Sequence, residues 1–350
     1  PLLTDADSRL ALLEEMNERI KKIERSGEQS NDPFVFSTSF NIDWEGYWKR
    51  FYCENYERIF ELKKKLCRNL DDESVSMVEI ILDRYINVIP RYEDAWSFKI
   101  NPKLFFTERE LQDQALPAYR DYMIPEKYKV PSGITVEKSL FYSKSGCSFI
   151  PGETLARVRG GVIIDGGAYC GDSALLFSEY SPQRIYAFEP EKHNYEMLEH
   201  VVDINNLRDM VYPINYALGS VEGSGTLLVK NVINDIGASF NNHSVTMSED
   251  DYLKQEVKII SIDNFVSREK VIPSMIKLDV EGRELEVIRG ALETIRKYKP
   301  ILLISIYHKP EDFFFIKPII EDLGLGYRFM IRKMNPAELV IETMLIGYSE

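Results

Sequence analysis

The sequence predicts an α/β protein in which a mainly parallel sheet with an antiparallel last strand follows a mainly helical N-terminal region. After residue 160, short β-branched runs alternate with helical patterns, as expected for parallel strands joined by right-handed crossovers. The last two apolar runs, residues 327–331 and 339–346, are too close together for a crossover helix, so we expect them to pair antiparallel. Before residue 141, apolar residues recur mainly at helical intervals.

The elements of the sheet domain, residues 141–350, follow from the period of their apolar residues. Short runs of β-branched and other apolar residues predict strands at 162–164, 184–188, 211–215, 275–278 and 301–307. Recurrence every three or four positions predicts helices at 173–180, 194–204 and 284–298. The order of these elements indicates repeated strand, helix, strand units.

The N-terminal region, residues 1–140, contains three stretches with helical spacing. The stripe of residues 2–23 could form a homodimer with a second copy or pack on its own domain. Residues 43–66 and 74–88 repeat the pattern, and Trp44 and Trp48 are expected in the core rather than against a substrate. Several prolines interrupt the connecting region that follows. We expect the whole region to act as a lid, to select an acceptor or to assemble the protein.

Composition excludes several classes of partner. A formal net charge of −13 provides no broad basic face, so we predict no nucleic-acid partner. No apolar run approaches the ~20 residues of a membrane span, and residues 1–5 do not resemble a secretory signal, so a cytoplasmic location is expected. The four cysteines have no paired spacing, which indicates reduced structural thiols.

A glycine turn follows the first predicted strand. Glycine allows a sharp turn and a close approach of the backbone to a ligand. Asp165 ends the strand, where it can meet the positively charged amino-acid end of a cofactor, because ligands gather at the carboxyl ends of parallel strands. The candidate cofactor-binding residues here are Asp165, Gly166, Gly167, Ala168, Gly171 and Asp172.

A second acidic residue, Glu189, ends the next strand and is followed by Pro190. A carboxylate at this tip can accept hydrogen bonds from both ribose hydroxyls of a nucleoside cofactor. Tyr216 and Ala217, after the third strand, complete the predicted cofactor site. The glycine spacing differs from the G-x-G-x-x-G of NAD enzymes and favours S-adenosyl-L-methionine, which has no pyrophosphate. The alternatives are an NAD-dependent oxidoreductase and a non-catalytic cofactor-binding module.

Further motifs in the same order resemble the FkbM-type methyltransferases, from about Phe141 to the C-terminus. They are the sequences Ala-Leu-Gly at 217–219, Ser-Ile-Asp-Asn-Phe at 261–265, Ile-Lys-Leu-Asp-Val-Glu-Gly at 276–282, Ile-Arg-Gly-Ala at 288–291, Ile-Tyr-His-Lys-Pro-Glu-Asp at 306–312 and Glu-Thr at 342–343. The resemblance implies a class I Rossmann-like methyltransferase sheet and S-adenosyl-L-methionine as methyl donor. It also implies a hydroxyl acceptor, commonly on a sugar, glycan or other small molecule. Asp165, Gly167, Gly171 and Glu189 match the cofactor motifs of the family.

Candidate catalytic residues follow two later strands. Lys277, Asp279 and Glu281 alternate to one side if the extended conformation persists. We predict that Asp279 orients the acceptor or removes its proton, with Glu281 beside it. Lys277 supports them or forms a structural salt bridge. His308 follows the strand at 301–307, where it can be a general base or a hydrogen-bonded structural residue.

A metal requirement is not indicated by any compact ligand motif. Asp279, Glu281 and His308 could together hold a divalent ion, because carboxylate and imidazole groups are suitable ligands. No metal ligand is therefore assigned from the sequence.

Overall fold

The structure, a computed structural model, describes residues 36–39, 48, 50–52, 54–84, 97–100, 107, 115–230, 238–239, 252–338 and 340–349. The predicted helix over residues 2–23 and the side chain of Trp44 lie outside these residues. In the described N-terminal region a two-stranded antiparallel sheet accompanies the helices. The elements are β1 (Phe36–Ser39), α1 (Ile59–Cys67), α2 (Asp72–Asp83), β2 (Ser97–Ile100), α3 (Ala115–Asp121), α4 (Lys138–Ser143) and α5 (Gly152–Leu155), with 3-10 turns at Tyr56–Arg58, Lys144–Phe149 and Ala156–Val158.

The rest of the chain alternates strands and helices, with one excursion into consecutive strands. Its elements are β3 (Val162–Gly166), α6 (Asp172–Ser178), β4 (Arg184–Phe188), α7 (Lys192–Ile204), β5 (Val211–Ile214), β6 (Ala217–Leu218), β7 (Gly223–Lys230), β8 (Ala238–Ser239), β9 (Tyr252–Ile260), α8 (Ile262–Glu269), β10 (Pro273–Leu278), α9 (Glu284–Arg289), α10 (Leu292–Tyr298), β11 (Ile301–Ser305), α11 (Pro310–Glu321), β12 (Tyr327–Lys333) and β13 (Thr343–Ser349).

Seven of these strands form the central sheet, in the order β12-β13-β11-β10-β3-β4-β5. From β11 to β5 neighbouring strands are parallel, whereas β13 is antiparallel to both β11 and β12. The predicted antiparallel pairing of the last two strands is therefore confirmed. Because the parallel strands share one direction, their carboxyl ends meet at one edge of the sheet, where ligands bind in such folds.

The predicted bounds of the final strand were displaced. β13 begins at Thr343 rather than at residue 339, and directly before it the Glu342 carbonyl oxygen accepts from the N–H of Met334, the residue that follows β12 (2.7 Å). Other strands agree closely with expectation, and β4 has the predicted bounds.

The helix predicted over residues 284–298 is divided into α9 and α10. The division falls at Gly290, whose position explains it. A Cβ at Gly290 would lie 2.3 Å from the carbonyl oxygen of Gly219, so the chain passes too close to its neighbour for any side chain. The prediction of one continuous helix was wrong because its periodicity carries no information about this long-range approach.

A second sheet, of four strands in the order β6-β9-β7-β8, lies between β5 and β10 in the sequence and was not predicted. β7 and β9 pair antiparallel from Gly223 opposite Ile259 to Lys230 opposite Tyr252. One face of this sheet buries Leu227 and Val257 beside Ala217. Polar and apolar residues alternate only over residues 256–259, so the local signal for this sheet is short.

The helices of the N-terminal region share a hydrophobic core with the central sheet. Trp48 packs edge-on against Phe313 of α11, with ring centroids 5.4 Å apart. Leu66 of α1 is completely buried in the same core. At β12 the Arg332 guanidinium donates to the carboxylate of Asp71, the residue that caps α2 (2.9 Å). These contacts make α1 and α2 part of the same packed body as the sheet, although the predicted division at residues 140 and 141 is not itself tested.

Among the described residues no helix combines the length and apolar character that crossing a membrane requires.

We predict that Leu66→Ala destabilises the fold by about 2–5 kcal/mol, because it leaves a cavity between α1 and the core. Urea unfolding followed by fluorescence and circular dichroism checks the change in unfolding free energy. Phe60→Ala, on the same helix but 53% exposed, is the matched control and should change stability by no more than about 0.5 kcal/mol. A separate early transition, with the main transition of Leu66→Ala unchanged, would show that the N-terminal helices fold independently.

Candidate functional site

The glycine turn after β3 lies directly against the end of β10. Gly167 has a left-handed φ of 74°. A Cβ there would lie 1.7 Å from the carbonyl oxygen of Asp279, so only glycine fits. The Asp279 N–H donates to the carbonyl oxygen of Gly166 (3.0 Å). The turn predicted to bind a cofactor and the strand end predicted to perform chemistry are thus neighbours.

Asp165, the residue before Gly166 in β3, is engaged by two side chains of the protein. Its carboxylate is fully buried, accepts from the Ser173 hydroxyl (2.5 Å) and lies 3.3 Å from the Lys277 ammonium group. Lys277 also donates to the carbonyl oxygen of Gly167 (2.8 Å). Burial alone would lower the pKa of Lys277, but Asp165 and nearby carboxylates raise it above its ordinary value. Lys277 therefore forms the structural salt bridge that was the alternative to a supporting catalytic role.

Glu189 extends from the tip of β4 and is held by backbone groups. Its Oε2 accepts from the Tyr169 N–H and its Oε1 from the Glu191 N–H, both at 2.9 Å. Burial raises the pKa of Glu189 to about 8, although these two N–H groups oppose the shift. Each carboxylate oxygen accepts one of these bonds and has a second lone pair. The group is suited to accept hydrogen bonds from a diol.

The remaining predicted cofactor residues surround these two acids. The Ala168 N–H donates to the Phe188 carbonyl oxygen (3.0 Å). Asp172 begins α6, where its carboxylate accepts from the N–H of Ser173 (2.8 Å) and of Glu137 (3.0 Å). The others lie at the ends of elements: Gly166 ends β3, Gly171 precedes α6, Pro190 follows Glu189 after β4, and Tyr216 precedes Ala217, the first residue of β6.

His308 lies just after β11, with its ring between carboxylates. Its Nδ1 is 3.0 Å from Oε1 of Glu284, and both side chains are fully buried. Its Nε2 lies 3.6 Å from Oδ1 of Asp279 and 3.5 Å from Oε2 of Glu281. The structure therefore brings Asp279, Glu281 and His308 together, as the sequence predicted. Lys277 contacts Asp165 and the glycine turn instead.

The proton affinities of this group are strongly perturbed. Burial alone would lower the pKa of His308, but Glu284, Glu281 and Asp279 together raise it to about 10. Burial raises the pKa of Asp279, while Lys277 and His308 oppose the shift. Burial likewise raises the pKa of Glu281 to about 7. The surrounding carboxylates thus favour the protonated form of the imidazole, whose charge would offset part of theirs.

Sequence reasoning assigned no role to several acids of this edge. Glu284 lies two positions after the motif at 276–282, but its contact with His308 depends on folding. Glu342 accepts from the Tyr307 hydroxyl (3.2 Å) and hydrogen-bonds Glu137, a residue of the N-terminal region. Burial and the charge of Glu342 raise the pKa of Glu137 well above its ordinary value. The ligand atoms of Asp279, Glu284 and His308 lie within 4.8 Å of one another, close enough for a metal ion.

This edge of the sheet therefore combines two chemical features. A glycine turn with a diol-binding acid can hold a nucleoside, and a cluster of carboxylates around an imidazole can orient a hydroxyl group and accept its proton. Both features have fixed positions, because the backbones of Gly167 and Asp279 are in contact.

Comparison with known proteins agrees with these features. Residues 165–329 match the sequence model described as the methyltransferase FkbM domain. A curated relative, the hexuronic acid methyltransferase AglP of Haloferax volcanii, is 27% identical over 143 residues, which are 41% of this chain and 54% of that protein. The chain thus spans about half the length of this relative.

A solved structure supports the fold. The crystal structure of methyltransferase FkbM from Methylobacillus flagellatus KT matches with a TM-score of 0.52 and 18% identity, covering 87% of this chain and 62% of that chain. The predicted α/β fold with a Rossmann-like methyltransferase sheet is confirmed. Residues 165–329 are therefore similar in sequence to the FkbM methyltransferase domain, and the chain shares the fold of a solved FkbM methyltransferase.

Proposed function

We propose that this protein is an S-adenosyl-L-methionine-dependent methyltransferase that methylates a hydroxyl group of a sugar, glycan or related small molecule. The observation that carries the proposal is the contact between the glycine turn and Asp279, which joins a nucleoside site to an acid cluster. The name of the relative from Haloferax volcanii supports a sugar as acceptor.

On the donor side, Glu189 would bind the ribose hydroxyls through its two carboxylate oxygens. The turn from Gly167 to Gly171 would lie along the donor, with no side chain at either glycine. Asp165 is taken up by Ser173 and Lys277, so it would act on the donor mainly by holding the turn in shape. The donor supplies an activated methyl group on a sulfonium ion.

On the acceptor side, Asp279, Glu281 and His308 would orient the hydroxyl in line with the methyl group. Attack of the hydroxyl oxygen on the donor's methyl carbon would break the carbon–sulfur bond and leave the electron pair on sulfur, as S-adenosylhomocysteine. The hydroxyl proton passes to Asp279, whose buried carboxylate is a stronger base than an exposed one. Protonated His308 would hold Asp279 and Glu281 in place by its charge.

The N-terminal region would close the acceptor side. Glu137 reaches this edge through its N–H bond to Asp172 and its side-chain bond to Glu342. The segment before α4 would thereby exclude water and contribute to acceptor choice. A homodimer through residues 2–23 belongs to the same proposal and is tested by light scattering of a chain lacking them.

The first prediction concerns donor recognition. Glu189→Gln should weaken S-adenosylhomocysteine binding by about 10- to 100-fold, because charge-assisted hydrogen bonds to the ribose are lost. Titration calorimetry measures the affinity, and Glu196→Gln, an exposed position of α7, is the matched control. Wild-type protein that binds NAD instead of S-adenosylhomocysteine would refute the proposed donor.

The second prediction concerns the pH dependence of donor binding. The pKa of Glu189 is raised to about 8, and ribose hydroxyls donate to its deprotonated form. Affinity for S-adenosylhomocysteine should therefore increase as pH rises from 6 towards 8.5, by less than about tenfold per pH unit. Calorimetry of the wild type and Glu189→Gln across this range isolates the effect. An identical pH profile in both proteins would exclude Glu189 as its source.

The third prediction concerns the acceptor. Asp279→Asn and His308→Gln should each lower turnover by about 10²- to 10⁴-fold with little change in donor affinity. Mass spectrometry with an isotopically labelled methyl donor and a panel of neutral sugars, uronic acids and sugar nucleotides measures the product. Asp209→Asn, at an exposed position, is the control. Full turnover in both variants would remove these residues from the mechanism.

A further inference from the structure

The two nitrogens of His308 have different surroundings. Glu284 approaches Nδ1 to 3.0 Å, and the Oε1 atom involved also accepts from the Val280 N–H (2.8 Å). A carboxylate at Nδ1 favours a proton on that nitrogen, so a cation that binds to Nε2 would displace the second proton of the imidazole and take over its charge. Histidines that bind metal ions in proteins commonly have such a carboxylate on their other nitrogen.

Each of two carboxylate oxygens lies at a distance from Nε2 that suits two ligands of one ion. Oδ1 of Asp279 and Oε2 of Glu281 lie 3.6 and 3.5 Å from Nε2, beyond the usual length of a hydrogen bond. Two ligands that each lie about 2.1 Å from the same cation, at a tetrahedral angle, are about 3.4 Å apart. In addition, Asp279 Oδ1 is a buried atom with no hydrogen-bond partner among the described residues.

The backbone turn at Glu281 directs its carboxylate towards Nε2 of His308. Glu281 has a left-handed φ of 54°, a conformation that a residue with a side chain seldom adopts. The turn places the Glu281 carboxylate beside His308, although Glu281 follows the end of β10. Such strain is retained where the surroundings impose it and is common at ligand sites.

The charge of the cluster also favours a cation. Asp279, Glu281 and Glu284 surround a single imidazole, and Lys277 is engaged by Asp165 and the glycine turn. A carboxylate-rich site with one imidazole suits a divalent transition ion such as Mn²⁺ or Zn²⁺.

We propose that Asp279 Oδ1, Glu281 Oε2 and His308 Nε2 bind one divalent cation, with Glu284 orienting the imidazole. The cation would coordinate an oxygen of the acceptor and lower the pKa of a hydroxyl bound to it. It would also allow an anionic sugar to enter a cluster of carboxylates. This site deepens the proposed function, but metal binding is measured without donor or acceptor, so failure of either proposal leaves the other separately testable.

The test is titration of the full chain, freed of metal by chelation, with Mn²⁺, followed by calorimetry and by electron paramagnetic resonance of free Mn²⁺. We expect one saturable site in the wild type. Glu281→Gln and His308→Gln should weaken it at least about tenfold, and Glu284→Gln by about 10- to 100-fold. Mg²⁺ and Zn²⁺ titrations then establish selectivity.

Glu222→Gln is the matched control. Glu222 is exposed and pairs with Arg268, so it is a carboxylate outside the proposed ligand set. It should leave the Mn²⁺ affinity unchanged. Because Glu281 is partly exposed, Glu281→Gln is expected to fold even if the variants at buried positions do not. Absence of saturable Mn²⁺ binding to the wild type, or an affinity unaltered in Glu281→Gln, would overturn the proposal.

Discussion

The approach of β3 to the end of β10 is the constraint on which the site depends. Gly167 can contact the Asp279 carbonyl only because it has no side chain, and Lys277 holds the two segments together by bonding the Gly167 carbonyl and Asp165. A buried charge is costly unless it is paired and hydrogen-bonded, so the fully buried Asp165 and Lys277 require each other. Their pairing fixes the position of the glycine turn relative to β10 before any ligand binds.

Around His308, the charges of the carboxylates are balanced less completely than in the Asp165–Lys277 pair. His308 is surrounded by Glu284, Asp279 and Glu281, and their mutual repulsion and burial raise the pKa of Asp279 and Glu281. Unlike the paired charges of Asp165 and Lys277, these groups respond to whatever binds beside them. Perturbed proton affinities concentrated at one edge of a sheet are typical of functional sites. The fold thus separates a structural ion pair from an acidic cluster only a few residues away.

The N-terminal region participates in the same architecture at two places. Its helices α1 and α2 bury apolar side chains against α11 and β12, at the far side of the sheet from β5. Its last segment brings Glu137 to the functional edge through Asp172. The first contact contributes stability through buried apolar surface, whereas the second adds an acidic group to the site. Packing and site composition are therefore linked through one region of the chain.

The sequence by itself determined the order of the main strands and helices, the antiparallel last strand, the glycine turn and the acids at strand ends. These features are local, because apolar periodicity, glycine spacing and the length of connections are properties of residues close together in the sequence. Only the tertiary structure decided that Lys277 pairs with Asp165, that Glu284 contacts His308 and that Gly290 interrupts a helix. Each of these depends on side-chain direction or on the approach of segments distant in sequence, about which local periodicity carries no information.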